Sequence, residues 1–407
     1  MNLNTDAAAV QRWRMWPLYA AGFTTAFGAH AVAANLAFDL DNMANSLLYL
    51  GVLLALYDGA EVLLKPIFGT LADKIGAKRV LLGGLIGFAA ASVLFVLVAD
   101  TNWLWLARLG QGAAASAFSP AASSLVARLT PKDRRGSAFG TYGFYKSLGY
   151  TLGPLLGGAV LWIGDLALLF AVMTVLASVV AIWAYTVVPA LAPLPRPRQT
   201  VVDLARRLSD HRFLRPTAAL AAATAALSAG VGFLPVSGAA AGLGPVATGA
   251  AVSVLALCAA IAQPRAGRAL DAGRISANIG VAAGLTLTAV GLAGAMIPGL
   301  AGVLAAGVAI GIGTGIITPL AFASLASSTP EERMGQTMGA AELGRELGDA
   351  GGPLLVAGVA AAATLTAGFG ALAALTFLIG AATTPRRTPT PPATHTKISS
   401  RRKINPK

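Results

Sequence analysis

Charge is what this 407-residue sequence lacks: Asp, Glu, Lys and Arg supply 12% of it, against 56% apolar residues. A soluble chain carries about 25% charged residues, so a soluble surface of this size cannot be covered. Mean hydropathy is +0.70. The length by itself suggests two or three soluble domains, but the composition excludes an ordinary cytosolic enzyme. The single cysteine, Cys258, excludes a disulfide framework and any cysteine-based metal cage. The three histidines, His30, His211 and His395, are too far apart for a local ligand motif, so no metal site is expected. There is no P-loop, no nucleophile elbow and no HExxH. Neither ATP drive nor enzymatic chemistry is expected, and no cofactor.

What is present is a series of apolar runs long enough to cross about 30 Å of hydrocarbon, roughly 20 residues each. They cover approximately 15–38, 47–69, 79–99, 103–127, 137–160 and 166–188, then 216–238, 244–263, 277–297, 299–325, 337–362 and 366–384. Backbone groups must be satisfied inside a bilayer, and these runs are too long and too uniformly apolar for barrel strands. The expectation is an all-α polytopic membrane protein of twelve helices in two six-helix bundles. The first run exceeds the h-region of a signal peptide and lacks a convincing cleavage site. The expected organisation is a first bundle over 1–188, a linker over 189–215, a second bundle over 216–384 and a disordered tail over 385–407. The linker is Pro-rich and contains a short basic segment, Val201 to Leu208, that reads as a surface helix.

The formal charge of +13 could be taken for a nucleic-acid signal, but position decides otherwise. All but four of the 30 Lys and Arg fall in loops on one side of the twelve spans or in the linker and termini. The opposite loops hold only acids, such as Asp39, Asp41, Asp100 and Asp165. By the positive-inside rule both termini are expected in the cytoplasm, with the protein in the inner membrane. No basic patch is interleaved with aromatics, so the expected partners are the bilayer and a small molecule, and the chain reads as a monomer.

The sequence also repeats itself. At an offset of 199 positions, Thr130 to Gly136 falls on Thr329 to Gly335. In the same register Gly140, Lys146, Gly149, Gly153 and Pro154 fall on Gly339, Arg345, Gly348, Gly352 and Pro353. At an offset of 198, Pro66, Gly69 and Asp73 fall on Pro264, Gly267 and Asp271. Matched loop chemistry and Gly-Pro pairs in one register indicate a duplicated six-helix unit.

Three motifs carry a resemblance to a known family. Gly69-Thr-Leu-Ala-Asp73-Lys-Ile-Gly76-Ala-Lys78-Arg79 resembles the loop signature G-x-L-x-D-R-x-G-R-K/R of the major facilitator superfamily, departing at Lys74 and Ala77. Arg108-Leu-Gly-Gln111-Gly112 resembles its helix 4 motif. Gly140-x8-Gly149-x3-Gly153-Pro154-x2-Gly157-Gly158 is similar to the helix 5 motif of the antiporter branch, which includes twelve-helix drug–proton exporters. The resemblance implies that Asp73 latches helix 11 from the loop after helix 2, with Lys78 and Arg79 in the same gate. It implies that the Gly-Pro bend in helix 5 seals the substrate cavity. It makes Arg108 a candidate for tuning a coupling carboxylate or binding substrate.

The remaining charges lie inside spans, where each is expensive unless paired or wet. Asp58, Glu61 and Lys65 share one face of helix 2; Glu342, Arg345, Glu346 and Asp349 share one face of helix 11. The resemblance sets these two helices facing each other. Taken from Gly69 and Gly339 at about 1.5 Å per residue, Lys65 falls level with Glu342 and Glu346, and Glu61 level with Arg345. Asp58 and Asp349 are left near the midplane with no obvious cation. The reading is a ladder of ion pairs that closes the cytoplasmic gate, topped by a carboxylate pair able to share protons; a static network joining the halves is the alternative.

Candidate cavity residues are His30, Asn35, Gln111, Tyr142, Lys146, Tyr150, Phe233 and Phe322. His30 reads either as a titrating or cavity-lining group or as a hydrogen-bonded structural histidine. The function this supports is a proton-coupled carrier working by alternating access, exporting small amphipathic organic compounds. Acid-rich faces favour cationic ones. A carrier for a sugar, amino acid or divalent cation, held by Asp58, Glu61, Asp349 and His30, is the alternative.

Overall fold

In a computed structural model the described residues are 3–35, 43–98, 103–194 and 209–383. They form twelve long helices. The first six are α1 (Leu3–Asn35), α2 (Met43–Ile75), α3 (Ala77–Val98), α4 (Leu104–Leu129), α5 (Arg135–Ile163) and α6 (Leu166–Val187). The second six are α7 (His211–Ala240), α8 (Pro245–Asp271), α9 (Ala277–Gly294), α10 (Leu300–Ser328), α11 (Met334–Ala362) and α12 (Leu365–Thr383). The helix ends follow local chemistry. Asp165 accepts from the Leu168 N–H at 2.8 Å to start α6, and Asp210 accepts from the Arg212 N–H at 2.8 Å to start α7. That cap begins α7 at His211 rather than at 216. Gly76, at φ +100°, makes the left-handed turn between α2 and α3 that a side chain would strain.

Duplication is visible in the packing. Helix α1 lies on α5 as α7 lies on α11; α2 lies on α4 as α8 lies on α10; α3 lies on α6 as α9 lies on α12. Single 3-10 turns precede α5 and α11, over Lys132–Arg134 and Glu331–Arg333. Interior prolines recur at Pro66 and Pro264, Pro120 and Pro319, and Pro154 and Pro353. The helices continue through them, as neighbours in a bundle allow. The halves meet through α2 on α11 and α5 on α8, with α5 on α10 and α4 on α11 beside them.

One core crosses between the halves, and only at one end. Buried Phe118, Leu125, Phe139 and Met173 of the first half belong to the same cluster as Leu220, Leu320, Phe322 and Met338 of the second. These second-half residues lie toward the face that carries the basic loops. At the other end Leu234, Leu255, Ile310 and Phe369 form a separate cluster within the second half. The halves are thus packed together at the basic face and part toward the opposite one.

Outside, large apolar side chains are exposed, among them Leu63, Leu97, Trp162, Ile182 and Leu354. Such a surface suits hydrocarbon, not water. Among the described residues seven helices are long and apolar enough to span a membrane by length and composition: α3, α6, α7, α8, α9, α10 and α12. Of the other five, α2, α4, α5 and α11 carry the buried charged groups described next. Val201 to Leu208 and the tail lie outside the described residues.

Candidate functional site

At the basic face two aspartates in the last turns of α2 and α8 interlock the halves. Asp73 Oδ1 accepts from the Gly335 N–H at 2.6 Å and Oδ2 from the Gln336 N–H at 2.8 Å. Asp271, its partner in the repeat, accepts from the Gly136 N–H at 2.8 Å and the Ser137 N–H at 2.6 Å. Each carboxylate therefore satisfies the free N–H groups at the start of the opposite half's helix, α11 or α5, where its charge also suits the helix dipole. Close backbone contact makes this possible: a Cβ on Gly339 would sit 2.6 Å from the Lys65 carbonyl, and one on Gly140 2.5 Å from the Gln263 carbonyl. Arg135 adds a third tie, donating to the carbonyls of Ala127 (3.1 Å) and Ala326 (2.6 Å) at the ends of α4 and α10. Asp271 and Arg135 were not singled out from sequence, although the Asp73–Asp271 register was the signal for the first.

Lys78 and Arg79 do not join this seal. Lys78 donates to the Tyr185 carbonyl of α6 at 2.8 Å and lies over the Tyr185 ring, 5.4 Å from its centre. Arg79 turns back to the Ile75 carbonyl at 3.3 Å. Both sit on the outer side of their own half, so the expectation that they work in the gate is corrected: α3 starts beyond the tight turn and points them away from α11.

Above the seal the ladder is built differently from the depth argument. Lys65 Nζ bridges Glu61 on its own helix (2.7 Å) and Glu346 on α11 (2.5 Å). Arg345 does not reach Glu61; its Nη1 folds back to Glu342 Oε2 at 3.2 Å. Lys146 of α5, expected in the cavity wall, also reaches Glu342 Oε2 at 3.2 Å and so belongs to the ladder as well. Ser123 supplies a hydrogen bond to Glu342 Oε1 at 3.4 Å. Breaking one partner of a buried pair costs about 3–5 kcal/mol, because the other charge stays behind. Exposure rises along the ladder: 1% for the Lys65 side chain, 7% for Glu61 and 14% for Glu346.

One turn further, Asp58 and Asp349 are exposed, although they continue the same facing stripes. They lie where the halves part, within electrostatic range of each other. Asp349 is hydrogen-bonded to Ser228 of α7. Asp58 lies within electrostatic range of the cations Arg108 and Lys65. Arg108 is 1% exposed, stacks over the Tyr57 ring at 4.3 Å and donates to Gln111 Oε1 at 3.3 Å. Among the described residues Arg108 Nε, Tyr57 Oη and Glu61 Oε1 are buried without a hydrogen-bond partner, in one neighbourhood.

A central cavity of about 40 Å³ lies where α5 meets α7, α8, α10 and α11. Tyr142, Lys146, Tyr150 and Phe322 line it as expected, joined by Arg345 and by Gln263, which sequence did not suggest. Gln111 does not line it: the side chain is fully buried on the far side of α4, bonded to Ser92 at 2.8 Å. Phe233 packs instead on the second half's separate core. His30 stands behind the wall, edge-on to Tyr150 at 4.4 Å, with Nδ1 3.2 Å from the Ala26 carbonyl. The side chain of Asn35 lies outside the described residues.

In the helix 5 motif, Gly149 and Gly153 admit the α1 backbone: a Cβ on Gly149 would lie 2.5 Å from the Phe23 carbonyl, and one on Gly153 3.1 Å from the Ala31 N–H nitrogen. Gly157 is buried and Gly158 half-buried. α5 runs unbroken through Pro154 to Ile163.

Comparison with known proteins adds to this geometry. The family model described as Major Facilitator Superfamily matches residues 18–272 and again 217–406. A triacylglyceride transporter of Mycolicibacterium smegmatis is 30% identical over 184 residues, 41% of this chain and 33% of the relative. The quinolone resistance protein NorA of Staphylococcus aureus is 32% identical over 109 residues, 27% of this chain and 28% of the relative. The alignments thus span about a third of these relatives. The crystal structure of the human organic anion transporter MFSD10 superposes with a TM-score of 0.75 at 16% identity, covering 92% of this chain and 99% of that one; at that identity it speaks for the fold alone. With the repeated helix pairing and the interlocked helix ends, the family match shows that this chain, a multi-pass membrane protein, belongs to the Major Facilitator Superfamily.

Proposed function

We propose that the chain is a proton-coupled secondary transporter that exports small amphipathic organic compounds by alternating access. One observation carries the reading: along a single line between α2 and α11, paired charges pass from sealed to open. Below, Asp73 and Lys65 hold the halves together; above, Asp58 and Asp349 stand exposed between them. With the basic face cytoplasmic, this is the outward-open state, in which protons from outside reach the two aspartates. Their protonation changes the charge facing Arg108, Glu346 and Lys65, and the last two form the bridge between the halves. A proton gradient is the energy source and no cofactor takes part. The protein works as a monomer in the inner membrane, with both termini in the cytoplasm. The relatives named for triacylglyceride transport and quinolone resistance support an amphipathic cargo.

The test is reconstitution in liposomes with an imposed pH gradient, screening amphipathic compounds for substrate-triggered proton flux. Flux is expected with such compounds and not with sugars or divalent cations; flux only with a metal or a sugar refutes the reading. Asp58→Asn and Asp349→Asn, made separately, are each expected to shift or abolish the pH profile of transport. If both leave it unchanged, the aspartates do not couple protons.

A further inference from the structure

The central cavity constrains the chemistry of the cargo, resting on the transport reading above. Among the described residues its lining contains two charged side chains, Lys146 and Arg345, and no carboxylate. Both are buried, 4% and 8% exposed. Both lean on the same oxygen, Glu342 Oε2, at 3.2 Å each. Glu342 is fully buried behind them, its other oxygen bonded to Ser123. One carboxylate against two cations leaves a unit of positive charge uncompensated on the cavity side. The balancing negative charge lies beyond the wall, where Lys65 stands between Glu61 and Glu346, the latter next to Arg345 on α11 and within electrostatic range of both cavity cations. Arg345 Nε is buried without a hydrogen-bond partner among the described residues, so a donor remains available at the wall. Ser147, Thr224, Gln263, Thr314 and Thr318 add neutral polar groups to the wall, and Tyr142, Tyr150 and Leu227 give it an aromatic and aliphatic part.

The acid-rich faces of α2 and α11 led to an expectation of cationic cargo, but among the described residues none of those acids lines the cavity. Asp58 and Asp349 face the open space between the halves, Glu61 and Glu346 are engaged by Lys65, and the cavity is left to the cations. A positive head placed there meets two like charges in a partly dehydrated wall. A negative head meets charge-assisted donors, the stronger kind of hydrogen bond.

We propose that the cavity, which at about 40 Å³ has room for a small head only, takes the carboxylate of an amphipathic organic anion between Lys146 and Arg345, and that its aromatic or alkyl body enters by displacing the side chains of Tyr142, Tyr150 and Leu227. The head then competes with Glu342 for both cations. Binding loosens the Lys146–Glu342 bond between α5 and α11, so that cargo recognition and release of the gate use one set of groups.

The test uses three compounds on one skeleton, 2-naphthylacetate, 2-(2-naphthyl)ethanol and 2-(2-naphthyl)ethylammonium, titrated calorimetrically into the purified full chain. The acetate is expected to bind about tenfold more tightly than the alcohol, as a bond to a charged group provides, and the ammonium more weakly than the alcohol. Lys146→Met should bring the acetate to the level of the alcohol, while Lys146→Arg keeps the preference. Because Lys146→Met alone weakens the hold on buried Glu342, Lys146→Met with Arg345→Met and Glu342→Gln, which removes all three charges, serves as a companion and should also lose the preference. No binding of the acetate, equal binding of acetate and alcohol, tightest binding of the ammonium, or a preference that survives both Met variants overturns the proposal. The same compounds in proteoliposomes separate the two readings. Proton flux with the ammonium but not the acetate overturns the anion site and leaves transport standing; anion-selective binding without flux from any of them leaves the site standing and overturns proton coupling.

Discussion

Lys65 is the residue on which the closed interface depends most. It is 1% exposed and within 2.7 Å of carboxylates on two helices, one in each half. Lys65→Met keeps the length of the side chain and removes the charge, leaving Glu61 and Glu346 facing each other without a cation. Breaking a buried pair in this way costs about 3–5 kcal/mol. Only the closed interface contains the bridge to Glu346, so most of the cost falls on that state. A shift of about 3 kcal/mol changes the ratio of closed to open states by roughly a hundredfold. Spin labels at Lys132 and Arg274, which lie in basic-face loops of opposite halves, report the separation by double electron–electron resonance, with Cys258→Ala removing the native thiol. Lys65→Met is expected to add a long-distance population that is minor in the parent protein. Replacing the whole triad, as Lys65→Met with Glu61→Gln and Glu346→Gln, removes the uncompensated charges and should restore thermal stability, since neutral replacements of buried networks are often tolerated. Unchanged distances and an unchanged melting temperature in Lys65→Met would refute the reasoning.

Asp73→Ala removes two hydrogen bonds to the start of α11 and is expected to cost about 1–2 kcal/mol, seen as a lower melting temperature and a more open basic face. Asp271→Ala should have a comparable effect through α5, and a double-mutant cycle between them should show coupling, because both latches close the same interface. Gly339→Val puts a branched side chain against the Lys65 carbonyl and should prevent closure, reducing transport without loss of expression. Gly149→Val, which meets the Phe23 carbonyl, should separate α1 from α5 and lower thermal stability while leaving the basic-face label distance unchanged. If Gly339→Val transports normally, the helices do not need their present backbone contact.

Much of the architecture was legible because it rests on local and periodic properties. Apolar length marked twelve helices, loop charge marked one face, and a shared register marked the duplication that reappears in the pairing of α1 with α5 and α7 with α11. The facing stripes of α2 and α11 were legible too, because helical periodicity assigns residues to faces without a partner in view. Pairing within the ladder was not. Depth along a helix says nothing of azimuth, so Arg345 was set against Glu61, whereas its side chain turns to Glu342 one turn away.

Three things needed the tertiary structure. Lys146 became part of the ladder because α5 crosses against α11 at that level, a contact between positions 196 apart. Lys78 and Arg79 left the gate because the turn at Gly76 directs them elsewhere. Most consequential was the partition of charge. The sequence by itself determined a membrane bundle that is basic outside its spans and slightly acidic within them. Only the packing of the two halves decided that Glu61 and Glu346 would be spent on Lys65, that Glu342 would be shared by Lys146 and Arg345 at the cavity wall, and that Asp58 and Asp349 would be left exposed. Electrostatic environment depends on which helices meet and where water enters, and neither is a property of any one segment of the chain.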